Sequence, residues 1–207
     1  MANWCSNAIV FFTTDNDNSR LKELYEDLQY YQNYKDDTQN AAMGWVGCLL
    51  QKQGVDTKEL SCRGFISDVE LNEGNVRLSM DTAWGPLSEV YDIIAEKYGM
   101  NYVYIAEEPS MSVFINTDTE GIYFNDRYYL DFFEVEDLEL DEGKLAEYGE
   151  RLEEISGESL YFSSFDEVLE MFAAFDFGVT DIDGLNEKLE DFKLEVCKFD
   201  DMKGENE

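Results

Sequence analysis

The residues of this chain with the clearest capacity for chemistry are carboxylates that recur at helical spacing near the C-terminus. One set, at positions i, i+3, i+4 and i+8, is Glu187, Glu190, Asp191 and Glu195. A second set lies upstream and consists of Glu147, Glu150, Glu153 and Glu154. Residues three and four apart on a helix are neighbours, about 5–6 Å apart. Each set therefore predicts one acidic helical face, a surface that attracts cations or a basic protein.

The charge of the chain is strongly negative and is concentrated in its second half. Asp and Glu number 47 against 15 Lys and Arg, a formal net charge of −32 on 207 residues. Residues 1–106 carry a net charge of −8, whereas residues 107–207 carry −24. Self-repulsion on this scale opposes compaction. Three interpretations stay open: a solvated surface, a store of cations, or a surface that meets a basic partner.

Missing residue types exclude most catalytic chemistry. The chain has no histidine, so it lacks the usual general base at neutral pH and the commonest metal ligand. The four cysteines, at positions 5, 48, 62 and 197, form no CxxC pair, which counts against a zinc ribbon or an iron–sulfur site. Cys5 as a nucleophile would have no histidine partner. We expect no enzyme activity, no cofactor and no bound metal.

Two acidic loops, Asp118–Gly121 and Asp181–Gly184, invite a calcium interpretation. An EF-hand loop needs Asp at alternate positions, then Gly, and Glu at the twelfth position. Counted from Asp181, the glycine comes two positions early and the twelfth residue is Phe192. The motif fails, and Asp183 is more simply interpreted as a helix N-cap.

Direct binding to nucleic acid or to a membrane is not expected. Few bases are spread along the chain, and phosphate repels so acidic a protein. Aromatic residues on a sheet can stack RNA bases, but Phe65, Tyr102 and Tyr104 have acidic neighbours rather than basic ones. No apolar run approaches the roughly 20 residues that cross a bilayer. The N-terminus shows no secretory signal, so we expect a cytoplasmic protein with reduced cysteines.

Hydrophobic periodicity predicts the elements that position these residues. In chain order they are a strand around Ala8–Phe12, a helix carrying Leu21, Leu24, Tyr25 and Leu28, a hairpin of Gly64–Leu71 and Val76–Met80, a helix from Pro86 to Tyr98, and a strand at Tyr102–Ile105. This order is that of the ferredoxin-like split βαβ fold, an α+β class with an antiparallel sheet. Extra strands are predicted at 112–117 and 122–133.

The last third is predicted to be an acidic helical C-terminal extension. We place the ferredoxin-like domain with its added strands at 1–133 and the extension at 134–207. Three helices are expected in it, with apolar stripes over Leu145–Ile155, Phe165–Phe172 and Leu185–Val196. The segment Ser164–Glu167 is a capping box that begins the second of these helices.

Two tryptophans lie in short motifs, and we interpret both as core anchors rather than as a functional site. Trp4 stands at the entry to the first strand, where such a residue usually packs under a helix. Trp84 precedes Gly85 and Pro86 at a tight turn.

The same two motifs resemble one protein family. The start Met1–Asn7 is similar to the Met-x-Asn-Trp-Cys-x-Asn start of YubB-type (Api-like) proteins, and Asp81–Pro86 is similar to their Thr-Ala-Trp-Ser-Pro-Pro turn. Gly85 replaces the family's Ser and Leu87 its second Pro; Tyr104–Glu108 looks like the strand that follows. The resemblance covers roughly residues 1–130. It implies a ferredoxin-like domain without an iron–sulfur cluster, carried on conjugative plasmids and phages, in a family with no established activity.

Acidic faces of this kind can imitate nucleic acid, because neighbouring carboxylates on a helical face are spaced comparably to adjacent phosphates along a DNA strand. A DNA duplex carries one charge per about 1.7 Å of its axis, counted over both strands. The leading hypothesis is a non-enzymatic mobile-element protein that binds and inhibits a basic nucleic-acid-binding host protein. Counter-defence of the anti-restriction or anti-CRISPR type is the natural version. The alternative is a structural or regulatory protein-interaction module of a plasmid or phage, with no mimicry and with acidic faces kept for solubility.

Overall fold

The computed structural model describes residues 3–15, 18–35, 42–132, 161–192 and 194–201, which belong to two compact units. The first unit comprises residues 1–124 and 200–207, and the second comprises residues 125–199. The second unit is therefore inserted into the first. The division differs from the predicted boundary at residue 133, because the strand Tyr128–Phe132 pairs with strands of the second unit.

The first unit is an α+β structure built on one five-stranded sheet. Its elements are β1 (Trp4–Phe12), α1 (Asn18–Gln32), α2 (Val46–Lys52), β2 (Gly64–Asn72), β3 (Asn75–Ala83), α3 (Ser88–Tyr98), β4 (Asn101–Glu108) and β5 (Val113–Asn116). The sheet order is β2-β3-β1-β4-β5, and each neighbouring pair is antiparallel. The predicted α+β class with an antiparallel sheet is confirmed.

The central strand β1 explains how the core is built. Alternate side chains of a strand face opposite sides of the sheet, and Cys5, Ile9 and Phe11 are buried in the core that the helices cover. The helices contribute Leu21, Leu24, Leu28, Val46, Leu49, Val90, Tyr91 and Ile94 to the same core. The apolar stripes predicted from helical spacing are thus the buried faces.

Tyr102 and Tyr104 of β4 point into this core. They are 6% and 0% exposed, and the rings of Tyr91 and Tyr104 lie 5.5 Å apart. Neither tyrosine is accessible for stacking a base. Of the three aromatic residues considered for RNA binding, only Phe65 is partly exposed.

Asn116, a buried residue of β5, bonds to both points of the first unit between which the second unit is inserted. The N–H of Asn116 donates to the carbonyl oxygen of Asp200 at 2.8 Å. Its side-chain Nδ2 donates to the carbonyl oxygen of Phe124 at 3.2 Å. The N–H of Asp200 in turn donates to the carbonyl oxygen of Phe114 at 2.8 Å. The residues that flank the inserted unit are therefore both bound to Asn116.

The second unit contains strands as well as helices. Its elements are β6 (Tyr128–Phe132), β7 (Tyr161–Phe162), α4 (Phe165–Met171), α5 (Ile182–Leu189) and β8 (Leu194–Lys198), with 3₁₀ turns at Ala173–Phe175 and Glu190–Phe192. The sheet order is β7-β6-β8, with antiparallel pairs. The predicted extension is therefore not purely helical. The helix predicted over Leu145–Ile155 lies outside the described residues.

Candidate partner-binding surfaces

The acidic residues predicted on the last helix are divided among three elements. Glu187 lies on α5, Glu190 and Asp191 lie on the 3₁₀ turn after it, and Glu195 lies on β8. The prediction of one continuous helix was wrong beyond Leu189. An acidic helical face that includes Glu195 does not exist.

Asn186 shows why the chain becomes a strand there. Its Nδ2 donates to the carbonyl oxygen of Val196 and its Oδ1 accepts the N–H of Val196, both at 2.9 Å. Val196 also faces Leu130 across the β6–β8 pair. Burial alternates along β8, as a strand requires. The spacing of Leu185, Leu189, Phe192 and Val196 also fits a continuous helix. The pairing of β8 with β6 therefore determines that residues 194–198 form a strand.

Three of the predicted carboxylates nevertheless meet around one surface depression. Its lining residues are Asp183, Asn186, Glu187, Glu190, Leu194 and Glu195, and its volume is about 490 Å³. Asp183, Glu187, Glu190 and Glu195 form no salt bridge within the part of the chain that the structure describes. We call these four residues the acidic depression. It concentrates negative charge and so suits a cationic partner.

The upstream acidic set, Glu147, Glu150, Glu153 and Glu154, lies outside the described residues. The helical face predicted for it remains a prediction.

The two loops considered for calcium use their carboxylates to hold the backbone. Asp181, not Asp183, is the N-cap of α5, since its Oδ1 accepts the N–H of Gly184 at 2.8 Å. The Asp183 assignment was therefore wrong by two positions, and Asp183 instead lines the acidic depression. In the other loop, Asp118 Oδ2 accepts the N–H groups of Tyr123 and Phe124 at 2.6 and 2.9 Å. Among the described residues, no three Cys, Asp or Glu side chains are arranged to hold a metal ion.

A buried chain of hydrogen bonds leads from the core to the turn that carries Trp84. The hydroxyl of Tyr91 donates to Asn7 Oδ1 at 3.1 Å, and Asn7 Nδ2 donates to Thr82 Oγ1 at 2.7 Å. The Thr82 hydroxyl then donates to the carbonyl oxygen of Gly85 at 2.7 Å. Three buried polar side chains thereby fix the conformation of a surface turn.

Trp84 is held in an unfavourable backbone conformation at this turn. Its φ is 75°, a region that a bulky L-residue rarely adopts, at a cost of about 1–3 kcal/mol. Its N–H donates to the carbonyl oxygen of Asn3 at 2.9 Å. The side chain is 49% exposed. The interpretation of Trp84 as a core anchor was therefore wrong.

Trp4 is also exposed, and the residues around it form an aromatic surface. Trp4 is 44% exposed, so the core-anchor interpretation fails for it too. Its ring centroid lies 5.6 Å from that of Phe65, and the Arg63 guanidinium lies 5.6 Å from the Trp4 ring. The missed signal is the strict alternation of β1. Because Cys5 faces the core, Trp4 must face away from it.

The buried thiol next to this surface is unsuited to nucleophilic chemistry. Cys5 is 0% exposed, and burial raises the pKa of its thiol to about 11. The charge of Glu108 adds to that increase. The thiol is therefore protonated at neutral pH, whereas the thiolate is the reactive form.

Within the described residues, no helix combines the length and apolarity needed to cross a membrane. In comparisons with protein families, with curated proteins and with solved structures, nothing matches the chain.

Proposed function

We propose that this chain is a non-enzymatic, cytoplasmic protein of a mobile genetic element that binds and inhibits a basic nucleic-acid-binding host protein. The observation that carries the proposal is the acidic depression: four carboxylates gathered from a helix, a turn and a strand, without a salt-bridge partner among the described residues. A folded protein gains nothing in stability from such an arrangement, since like charges repel. A partner with clustered Lys and Arg would relieve that repulsion.

Mimicry of nucleic acid is the proposed mechanism. A protein that binds a duplex places cationic side chains along its phosphates, and a fixed set of carboxylates offers those side chains the same charge. Long-range attraction speeds association, and close pairing gives specificity. The chain would occupy the groove of a host defence nuclease, in the manner of an anti-restriction or anti-CRISPR inhibitor.

The fold and genomic setting belong to the same proposal. We assign the first unit to the ferredoxin-like class, supported by the place of β1 between β3 and β4 in an antiparallel sheet. The motifs around Trp4 and Trp84 support the assignment to the YubB-type family of plasmids and phages. An enzyme is disfavoured because the chain has no histidine and the Cys5 thiol is protonated.

The decisive experiment reverses the charge of the acidic depression. The variant E187K/E190K/E195K is compared with E59K/E73K/E120K, which changes the net charge equally at three exposed positions of the first unit. Both are immobilised beside the wild type, and basic proteins retained from host lysate are eluted with salt or with duplex DNA. We expect elution by either agent, and a loss of affinity of at least about tenfold in the first variant alone.

Other outcomes would reject parts of the proposal. Equal loss in both variants would show that bulk charge, not the depression, holds the partner. A partner that binds the chain and duplex DNA together would exclude mimicry. Reversing Glu147, Glu150, Glu153 and Glu154 extends the test, because a further loss is expected if this set also contacts the partner.

An interaction module without mimicry is the second candidate. The specific observation in its favour is the exposure of Trp4 and Trp84. Large aromatic side chains on a surface are typical anchors of protein–protein interfaces.

A further inference from the structure

The exposed end of the first unit's sheet combines aromatic rings with carboxylates. In the strand register Phe65 lies opposite Asp81, and Asp81 lies opposite Ser6, which also faces Glu107. Asp81 is exposed and forms no salt bridge with a described residue. Trp4 lies opposite Ala83, and the N–H of the next residue, Trp84, bonds to Asn3, the residue before Trp4. We call the set Trp4, Phe65, Asp81 and Trp84 the tryptophan surface.

We propose that the tryptophan surface binds an arginine-bearing segment of a basic polypeptide. A guanidinium group is planar and weakly hydrated, stacks on aromatic faces, and pairs with a carboxylate through two hydrogen bonds. The surface already displays this contact internally, because the Arg63 guanidinium lies over the Trp4 ring. Among the described residues no cation lies over the ring of Trp84. Trp84 and Asp81 therefore supply an indole face and a carboxylate to an incoming arginine.

Charge decides between the possible occupants. A second copy of the chain would bring together two molecules with a formal charge of −32 each, which repel one another. Phosphate groups of a nucleic acid are repelled in the same way. A basic segment is attracted at long range and loses its hydration where it meets the indoles. The inference is independent of mimicry, since this surface belongs to the first unit and the acidic depression to the second.

The strained turn explains why the surface is ready to bind. A turn whose backbone is fixed before binding loses less conformational entropy in the complex. The backbone of Trp84 is held by its hydrogen bond to Asn3, and the Tyr91–Asn7–Thr82 chain holds Gly85 next to it. Strain that persists in a folded protein concentrates at binding sites.

Fluorescence anisotropy of labelled peptides tests the assignment. The probe is a short Gly/Ser peptide that carries several arginines, with a matched peptide in which citrulline replaces each arginine. Titrations use the full chain in about 1 M salt, where the screening length is only about 3 Å and diffuse attraction is suppressed. We expect the arginine peptide to bind the wild type, and W84G and D81N each to weaken binding at least about fivefold. The control E187K/E190K/E195K should bind like the wild type, even if it has lost the partner of the acidic depression.

Three results would overturn the assignment. They are equal binding of the citrulline peptide, unchanged binding by both W84G and D81N, and tighter binding of an oligothymidylate than of the arginine peptide. Asp81 is exposed, so D81N leaves the fold intact and tests the arginine site even if W84G were poorly folded.

Discussion

The Thr82 hydroxyl and the carbonyl oxygen of Gly85 are joined by a hydrogen bond of 2.7 Å. Thr82 is itself held by Asn7, which accepts the hydroxyl of Tyr91. The conformation of a solvent-exposed turn thus depends on polar groups inside the core. We therefore expect substitutions of these core residues to change both the stability of the first unit and partner binding at Trp84, although the core residues contact no partner themselves.

Removing Asn7 should destabilise the first unit strongly. In Asn7→Ala, the buried groups of Tyr91, Thr82 and Cys5 that bond to Asn7 each lose one hydrogen bond, although Thr82 keeps its bond to Gly85. Each buried polar group left unpaired costs about 1–3 kcal/mol. We expect a total loss of about 2–4 kcal/mol, against about 1–2 kcal/mol for Tyr91→Phe. Urea unfolding followed by tryptophan fluorescence measures this, because all three tryptophans belong to the first unit. Ser6→Ala is the control; a loss in Asn7→Ala no larger than in this exposed control would contradict the hydrogen-bond chain.

Substituting Trp84 should cost little stability. Trp→Ala in a core costs about 3–5 kcal/mol, whereas Trp84→Gly should change the free energy of unfolding by less than about 1 kcal/mol, because glycine adopts positive φ without strain and so offsets the loss of a half-exposed side chain. Trp84→Ala keeps the strain and should be less stable than Trp84→Gly by about 1 kcal/mol. Because the substitution removes one of the three tryptophans, the urea titration is followed by near-ultraviolet circular dichroism instead of fluorescence. A Trp84→Ala variant more stable than Trp84→Gly would show that the backbone at Trp84 is not strained.

Alkaline pH should destabilise the first unit. Burial raises the pKa of Cys5 from 9.0 to about 11, and burial likewise raises the pKa of Tyr91, Tyr98 and Tyr102. The folded state thus keeps protons that the unfolded state releases, so this stability is complete below about pH 9 and is lost as pH rises further. Each such proton contributes a slope of about 1.4 kcal/mol per pH unit. Urea unfolding from about pH 8 to about pH 11 should show the decline, with a smaller slope in Cys5→Ser; a flat profile would contradict the burial of these groups.

Asp181 and Asp183 are expected to differ in their effect on stability, because only Asp181 caps α5. Asp181→Ala removes the acceptor for the Gly184 N–H and should destabilise the second unit by about 1 kcal/mol. Asp183→Ala should change stability by less than about 0.5 kcal/mol. Hydrogen exchange of the Gly184 amide gives a direct measurement, since only the Asp181 variant should exchange faster. Faster exchange in Asp183→Ala alone would restore Asp183 as the cap.

The sequence predicted those parts of the fold in which local pattern and tertiary pairing agree. The hairpin turn is marked by Gly74, whose φ is 83°, and α3 ends at Gly99 in the left-handed conformation. In both places a glycine meets a backbone requirement that few other residues can satisfy. Ser164 also caps α4 as the capping box predicts.

The errors arose where two patterns fitted the same residues or where distant pairing decided the outcome. The stripe from Leu185 to Val196 has helical spacing, but β6 offers residues 194–198 a partner strand. The turn that carries Trp84 is held in part by the hydrogen bond between Asn7 and Thr82, which joins residues 75 positions apart. Three of the four residues of the acidic depression were predicted, namely Glu187, Glu190 and Glu195, but on one helix. Asp183 shares α5 with Glu187 and was interpreted as an N-cap, whereas Glu195 reaches the site on β8, which the bonds between Asn186 and Val196 hold against α5.

The two bonds that Asn116 makes to Phe124 and Asp200 mean that the second unit enters and leaves the first at neighbouring points. The inserted unit is therefore a contiguous segment that could be removed without separating the strands of the first unit. It holds 23 of the 47 acidic residues. If the inserted unit were deleted, a few glycines could join residue 124 to residue 200 without moving either residue, and closing so short a loop costs little entropy. Excision or replacement of the inserted unit is therefore expected to leave the sheet of the first unit in place, because each unit has a sheet and a core of its own.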